Sequence, residues 1–246
     1  MPAAIHGEDM ATTPYLNDTM SLILQIETAT TVCSVALSEN GSLLACKEIQ
    51  QRNVHAEVIT LFIDEVLKAS GKQYSELGAV AVSCGPGSYT GLRIGISVTK
   101  GLCYSLDIPF IAVETLESMT NGMNDENPSR DALFCPMIDA RRMEVFTAVF
   151  NAEGNRVKPT SAEIIDQDSF SDLLKTNKII FFGDGASKCS EVLGSNPNAQ
   201  IVSDFQNSAR HLTKKATEKF INKDFEDTAY FEPYYLKDFI AGKKSV

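Results

Sequence analysis

Histidine is scarce in this chain. There are three in 246 residues, His6, His55 and His211. None has a second histidine three or four positions away and no His-Glu-x-x-His stretch occurs, which argues against a helix-borne zinc or iron site. The six cysteines, Cys33, Cys46, Cys84, Cys103, Cys135 and Cys189, form no Cys-x-x-Cys pair. Most lie in apolar runs, where a free cysteine packs as a small hydrophobe. Neither a zinc ribbon nor a disulfide framework is indicated, and a reducing, cytoplasmic location is expected. No apolar run approaches the ~20 residues of a membrane helix. Basic residues are also few, 22 Lys and Arg against 32 Asp and Glu, for a formal charge of -10. An acidic surface repels a phosphate backbone, so any RNA-linked role calls for a basic partner. There is no Gly-x-Ser-x-Gly elbow, and neither His55 nor His211 stands as an evident base for Ser88, so a serine protease is unsupported.

What remains is an ordinary globular composition, 43% hydrophobic and 22% charged, sized for one large domain or two small ones. Residues 1–20 are polar and aperiodic without a signal-peptide pattern. They read as a disordered leader or a misassigned start, with the folded part beginning near Met20. Leu22–Ile26, Val32–Leu37 and Ser42–Ile49 read as an antiparallel meander, with Asn40-Gly41 as a hairpin turn. Val54–Ala69 has helical spacing, with Asn53 as N-cap and Gly71 as stop. Ala79–Cys84 is a strand, Leu92–Leu106 a helix and Phe110–Val113 a strand.

The second half echoes this order. Strands are expected at Ala132–Ile138, Glu144–Phe150, Arg156–Ile165, Ile179–Phe182 and Gln200–Val202. Helices are expected at Phe170–Leu174, Ala186–Leu193 and Ser208–Ile221. Asn121–Arg130 reads as a linker. The expected class is a duplicated α/β fold with two β-β-β-α-β-α type domains: 21–115, then 116–223, with the segment 224–246 packing back on the first.

The densest signal is Gly85-Pro86-Gly87-Ser88-Tyr89-Thr90-Gly91-Leu92-Arg93-Ile94-Gly95. A strand precedes it and a helix follows. It is not a Walker A loop, since no Gly-Lys-Ser/Thr is present, nor a dinucleotide fingerprint. A helix N-terminus of this kind holds an anion unaided; the plainer reading is a turn that lets the helix pack closely. Gly183-Asp184-Gly185 forms a second strand-to-helix turn. The helix Leu92–Leu106 is apolar nearly all round and carries small residues at Gly95, Ser97, Thr99 and Gly101. Two interior glycines cost roughly 1 kcal/mol each in helix propensity, and close approach of another helix would offset that cost.

The glycine stretch resembles the hallmark of the TsaB family of bacterial tRNA threonylcarbamoyladenosine biosynthesis proteins. Ile26-Glu27-Thr28-Ala29, Asn53-Val54-His55-Ala56-Glu57, Asp139-Ala140-Arg141-Arg142-Met143-Glu144-Val145-Phe146 and Pro233-Tyr234-Tyr235-Leu236-Lys237 agree in order, with Lys237 where the family has Arg. The resemblance implies an actin-like (sugar kinase/Hsp70) fold and a non-catalytic scaffold subunit. That subunit pairs with the metal-bearing TsaD, is joined by TsaE, receives the product of TsaC and meets tRNA only through the complex. A homodimer is expected when it is alone. The expected contact surface is Val58, Leu61 and Phe62 on the first helix, with Leu92, Gly95, Ile96, Val98, Thr99 and Leu102 on the second. The superfamily's first hairpin usually carries Asp-x-Gly; Glu27-Thr28-Ala29 stands there instead. Cofactor-contact candidates are Thr28, Thr30, Gly85, Gly87, Arg93, Gly183 and Gly185. No resident cofactor is expected, with ATP or ADP only weakly held or at the partner interface. The competing readings are a diverged nucleotide-dependent ATPase or kinase of the same fold and, less supported, a protease.

Overall fold

A computed structural model describes residues 21–126 and 131–237. Among the described residues ten strands form two sheets of five. The first contains β1 (Leu22–Glu27), β2 (Val32–Glu39), β3 (Ser42–Gln50), β4 (Ala79–Ser83) and β5 (Phe110–Val113). The second contains β6 (Ala132–Asp139), β7 (Glu144–Phe150), β8 (Arg156–Ile164), β9 (Lys178–Phe182) and β10 (Ala199–Val202). Their orders are β3-β2-β1-β4-β5 and β8-β7-β6-β9-β10, so the same topology occurs twice. In each sheet an antiparallel meander is followed by two parallel strands. Asn40 and Gly41 turn the first hairpin with φ of 51° and 78°, the left-handed geometry such a tight turn requires.

The helices are α1 (His55–Ala69), α2 (Tyr89–Leu106), α3 (Thr115–Glu126), α4 (Ser171–Leu174), α5 (Ser190–Leu193) and α6 (Thr213–Ile221). α1 and α2 cover one face of the first sheet, burying Ile59, Ile63, Val66 and Ile96 against Leu24, Val35 and Val82. Strand alternation divides the second core. Cys135, Met137, Ile179 and Phe181 face α4 and α5, while Phe134, Ile138, Ile180 and Phe182 face α3. Burying each such large side chain contributes about 1.5–3 kcal/mol.

Several local expectations are corrected. Asn53 does not cap α1: its φ is +62°, and Val54 holds the N-cap position without a side-chain bond. α2 begins at Tyr89 rather than Leu92, because the Ser88 hydroxyl accepts the Gly91 N–H at 3.2 Å. α3 was not foreseen. Its Leu116, Met119 and Met123 are spaced on one face and buried on the second sheet, so the expected linker 121–130 is helical through Glu126. Residues 127–130 lie outside the described residues, as do 1–20 and 238–246. Ser208–Ile221 divides into a 3-10 turn at Ala209–Leu212 and α6. Leu212 and Ala216 pack on Ile23, Ala79 and Ile111, so the chain has returned to the first sheet well before residue 224.

The segment after α6 also lies on the first half. Glu226 donates its N–H to the Phe110 carbonyl at 2.9 Å, Phe231 meets the Phe110 ring at 4.8 Å between centroids, and Tyr234 donates to the Cys84 carbonyl at 2.8 Å. This strap brings Tyr235 and Lys237 to the seam between the two halves.

Candidate functional site: an interdomain cleft and an outer helix groove

The two sheets leave a cleft of about 1490 Å³ between them. The β1–β2 hairpin, the N-terminus of α2, the β6–β7 hairpin and the strap all contribute to its walls. Thr30, His55, Gly87 and Ser88 line one side; Asp139, Arg141, Arg142, Glu144 and Asp184 line the other.

Glu27 ends β1, yet it does not reach the cleft. Its side chain is fully buried; Oε1 accepts the Ala29 N–H at 2.6 Å, and Oε2 lies near Ser83 and Asn207 without a bond of normal geometry. Burial pushes this carboxyl up to about 7, the Ala29 N–H and the neighbouring polar side chains only partly opposing it. A carboxyl in this setting closes the hairpin and is withdrawn from any ligand in the cleft. Thr28 is equally buried, its hydroxyl directed at α2 rather than outward.

The glycines of the hallmark loop are explained by close packing. A Cβ on Gly87 would lie 2.5 Å from the Ala29 carbonyl oxygen and 2.7 Å from the Ala29 methyl. One on Gly91 would overlap the Thr28 carbonyl, one on Gly95 the Thr28 hydroxyl, and one on Gly85 (φ +118°) the Tyr234 carbonyl. The loop and the first turn of α2 are thus wedged between the β1–β2 turn and the strap. Gly183 (φ +102°) and Gly185 likewise press on the backbone of Met137 and Ile138 and are buried. Of the cofactor-contact candidates only Thr30 and Gly87 line the cleft. Arg93 lies outside it, its Nε donating to the Tyr235 hydroxyl at 2.9 Å and its guanidinium over the Tyr89 ring at 4.1 Å.

The expected contact surface is also divided by the packing. Leu92, Gly95, Ile96, Thr99 and Phe62 are buried within their own half, so of the small residues of α2 Gly95 and Thr99 turn inward, Gly95 against Thr28 and Val82, while Ser97 and Gly101 are exposed. Val58, Val98 and Leu102 are half-buried, and Leu61 is 57% exposed. Between α1 and α2 runs an outer groove of about 470 Å³ lined by Ala56, Ile59, Thr60, Ile94, Ser97 and Val98. Thiol chemistry has no place at either site. Cys33, Cys103 and Cys135 are buried, and burial pushes each thiol up to about 12. Among the described residues no three His, Cys, Asp or Glu side chains cluster as a metal site, and no helix is long and apolar enough to cross a membrane.

The repeated 3-2-1-4-5 sheet order with a cleft at the seam makes this an α/β protein of the duplicated actin-like class. The solved structure "YeaZ from Pseudomonas aeruginosa" shares that fold, with a TM-score of 0.76 and 25% identity over 88% of this chain and all (100%) of that one. The family model for TsaD, tRNA N6-adenosine threonylcarbamoyltransferase, matches residues 43–231, and the chain belongs to that family. Curated relatives include the "tRNA threonylcarbamoyladenosine biosynthesis protein TsaB" of Escherichia coli, 38% identical over 135 residues, which covers 55% of this chain and 57% of the relative. The protein of the same name in Haemophilus influenzae is 26% identical over 231 residues, covering 90% of this chain and 96% of the relative. The E. coli match thus spans little more than half of that relative's length.

Two features of the site were not read from the sequence. One is the burial of Glu27, which depends on Ser83 and on Asn207 arriving from 180 residues away. The other is the gathering of arginines on the cleft, for which the Asp-Ala-Arg-Arg stretch was a visible but unassigned signal.

Proposed function

We propose that this chain is a non-catalytic partner subunit in the formation of threonylcarbamoyladenosine on tRNA, acting by pairing with a TsaD-type subunit. TsaE joins the assembled pair, TsaC supplies the activated group, and tRNA is met through the complex. Alone, the chain self-associates through the same surface. The observation that carries this reading is the outer groove between α1 and α2, a furrow lined by Ala56, Ile59, Ile94 and Val98 on the outer side of the first half. The withdrawn Glu27 supports the non-catalytic part, because the hairpin carboxylate is spent on its own backbone and has no access to a metal-bound nucleotide in the cleft. The chain therefore works without a resident magnesium nucleotide of its own, any ATP or ADP being only weakly held or bound at the partner interface.

Reconstitution tests the proposal. TsaD, TsaE and TsaC supplied with tRNA, threonine, bicarbonate and ATP should modify tRNA poorly until this chain is added. Full modification without it would sink the idea, as would magnesium-dependent ATP turnover by the isolated chain.

A further inference from the structure

The cleft between the halves has walls of two kinds. One is apolar. Ile94, Met143, Phe146 and Leu236 line it half-buried, and Ile164, at the end of β8, lines it 72% exposed. These five leave apolar surface open to the cleft, which a ligand of matching character would cover. The other kind is cationic, on a protein whose formal charge is -10. Arg52 of the first half and Arg141 and Arg142 of the β6–β7 hairpin are exposed and line the same space. Among the described residues none of the three guanidiniums has a hydrogen bond, an ion pair or a ring contact. The three carboxylates on these walls are engaged elsewhere. Asp139 is paired with Lys188 and accepts the Arg141 backbone N–H at 2.9 Å. Asp184 accepts the Asp139 N–H at 3.0 Å, and both oxygens of Glu144 accept from Lys237 at 2.7 Å. At about 1490 Å³ the cleft also exceeds the ~300–1000 Å³ of ordinary small-molecule pockets.

The geometry points to a docking site in this cleft for a short acidic and apolar segment of a partner protein, its carboxylates taken by Arg52, Arg141 and Arg142 and its apolar side chains by Met143, Ile164 and Leu236. A guanidinium takes a carboxylate through two parallel N–H donors, and an arginine with no partner in its own chain has those donors free. The net negative charge repels acidic partners at long range, so a local patch of opposite sign selects where one can settle. A nucleic-acid strand is the poorer fit. It offers no aliphatic groups to cover Ile164 and Leu236, and its regularly spaced phosphates would pass Asp139, Asp184 and Glu144 on the same walls. This site is distinct from the pairing surface proposed above: Ile94 lies on both, but Val98 lines only the outer groove and the arginine hairpin only the cleft.

Peptide selection tests the site. Random dodecapeptides displayed on phage are panned against the full chain carrying Val98→Asp, which takes the outer groove out of the test. The expected winners carry two or more Asp or Glu close to Leu, Ile or Phe. A winner made as a fluorescein-labelled peptide should bind more weakly as salt rises. It should lose at least ~10-fold in affinity for Arg52→Ala and for the double variant Arg141→Asn, Arg142→Gly. Arg141 and Arg142 have φ of 73° and 47°, so Asn and Gly suit that turn and keep it folded. Ile164→Ser should lower affinity by about 10-fold, an effect that a site for bare anions would not show. Thermal melts check the fold of each variant, and the substitutions lie on separate segments, so one that fails to fold leaves the others to decide. Winners without acidic residues would overturn the proposal, as would affinities unchanged in the arginine variants or in Ile164→Ser. Equal binding of a mixed-sequence dodecaribonucleotide would overturn it too, by making the cleft an RNA site.

Discussion

Replacing Glu27 with Gln isolates a buried proton. In the folded chain burial holds the Glu27 carboxyl at about 7 against an ordinary 4.5, so the native state binds its proton more tightly than the unfolded state. Stability from this group therefore falls as pH rises from about 4.5 to 7, by roughly 3 kcal/mol in all. His211 acts in the opposite sense. It is buried beneath α3, stacks on Phe205 at 5.3 Å, and burial, helped by Arg210, holds it down at about 4 against 6.5. The native state resists its protonation, so stability from His211 is lost as pH falls from about 6.5 to 4, again by roughly 3 kcal/mol. Over the shared interval, about pH 4.5 to 6.5, the slopes of these two groups oppose and largely cancel one another. Glu27→Gln keeps an oxygen for the Ala29 N–H and removes the titration. Its stability should climb with pH across that interval and exceed wild type at about pH 8 by up to ~3 kcal/mol. For a chain of this size that is a rise of roughly 6–12 °C in midpoint. Calorimetric or urea melts of both proteins across the pH series measure it. Parallel profiles, or a variant less stable than wild type at alkaline pH, would refute the buried-proton argument.

Val98→Asp places a charge in the α1–α2 groove at a half-buried position. It should weaken self-association and pairing by at least ~30-fold, read by sedimentation alone and with TsaD, while the monomer's stability moves by about 1 kcal/mol. Unchanged sedimentation would remove the groove from the interface. Ile96→Asp, which the sequence suggested equally, is no test of an interface: Ile96 is 4% exposed in the first core, and an unpaired charge there should unfold the chain. Gly91→Ala drives a methyl into the Thr28 carbonyl, a backbone atom that cannot swing away. A loss of about 3 kcal/mol in urea unfolding is expected, and a neutral result would show that α2 is not wedged against the β1–β2 turn.

Much of the architecture was legible in the chain itself. Strand alternation, the Asn40-Gly41 turn and the repeated meander come from local chemistry: side-chain period, positive-φ residues and apolar runs are all properties of neighbours in sequence. The glycine stretch marked the family for the same reason. α3 escaped because its face is set by only three apolar residues among polar ones, and its helix is held by the second sheet rather than by propensity. The inward packing of Gly95 on α2 was hidden because the hydroxyl of Thr28 and the side chain of Val82, which it accommodates, lie on other elements. The arginine cleft shows the division most plainly. Arg52, Arg141 and Arg142 are apparent in the sequence, but which carboxylates stand beside them is not. Charge compensation acts through space, and only the folded chain brings Lys188 to Asp139 and Lys237 to Glu144, while among the described residues no side chain pairs with those three arginines. The sequence determined what kind of fold this is; tertiary packing decided which of its polar groups are already satisfied and which still face outward for a partner.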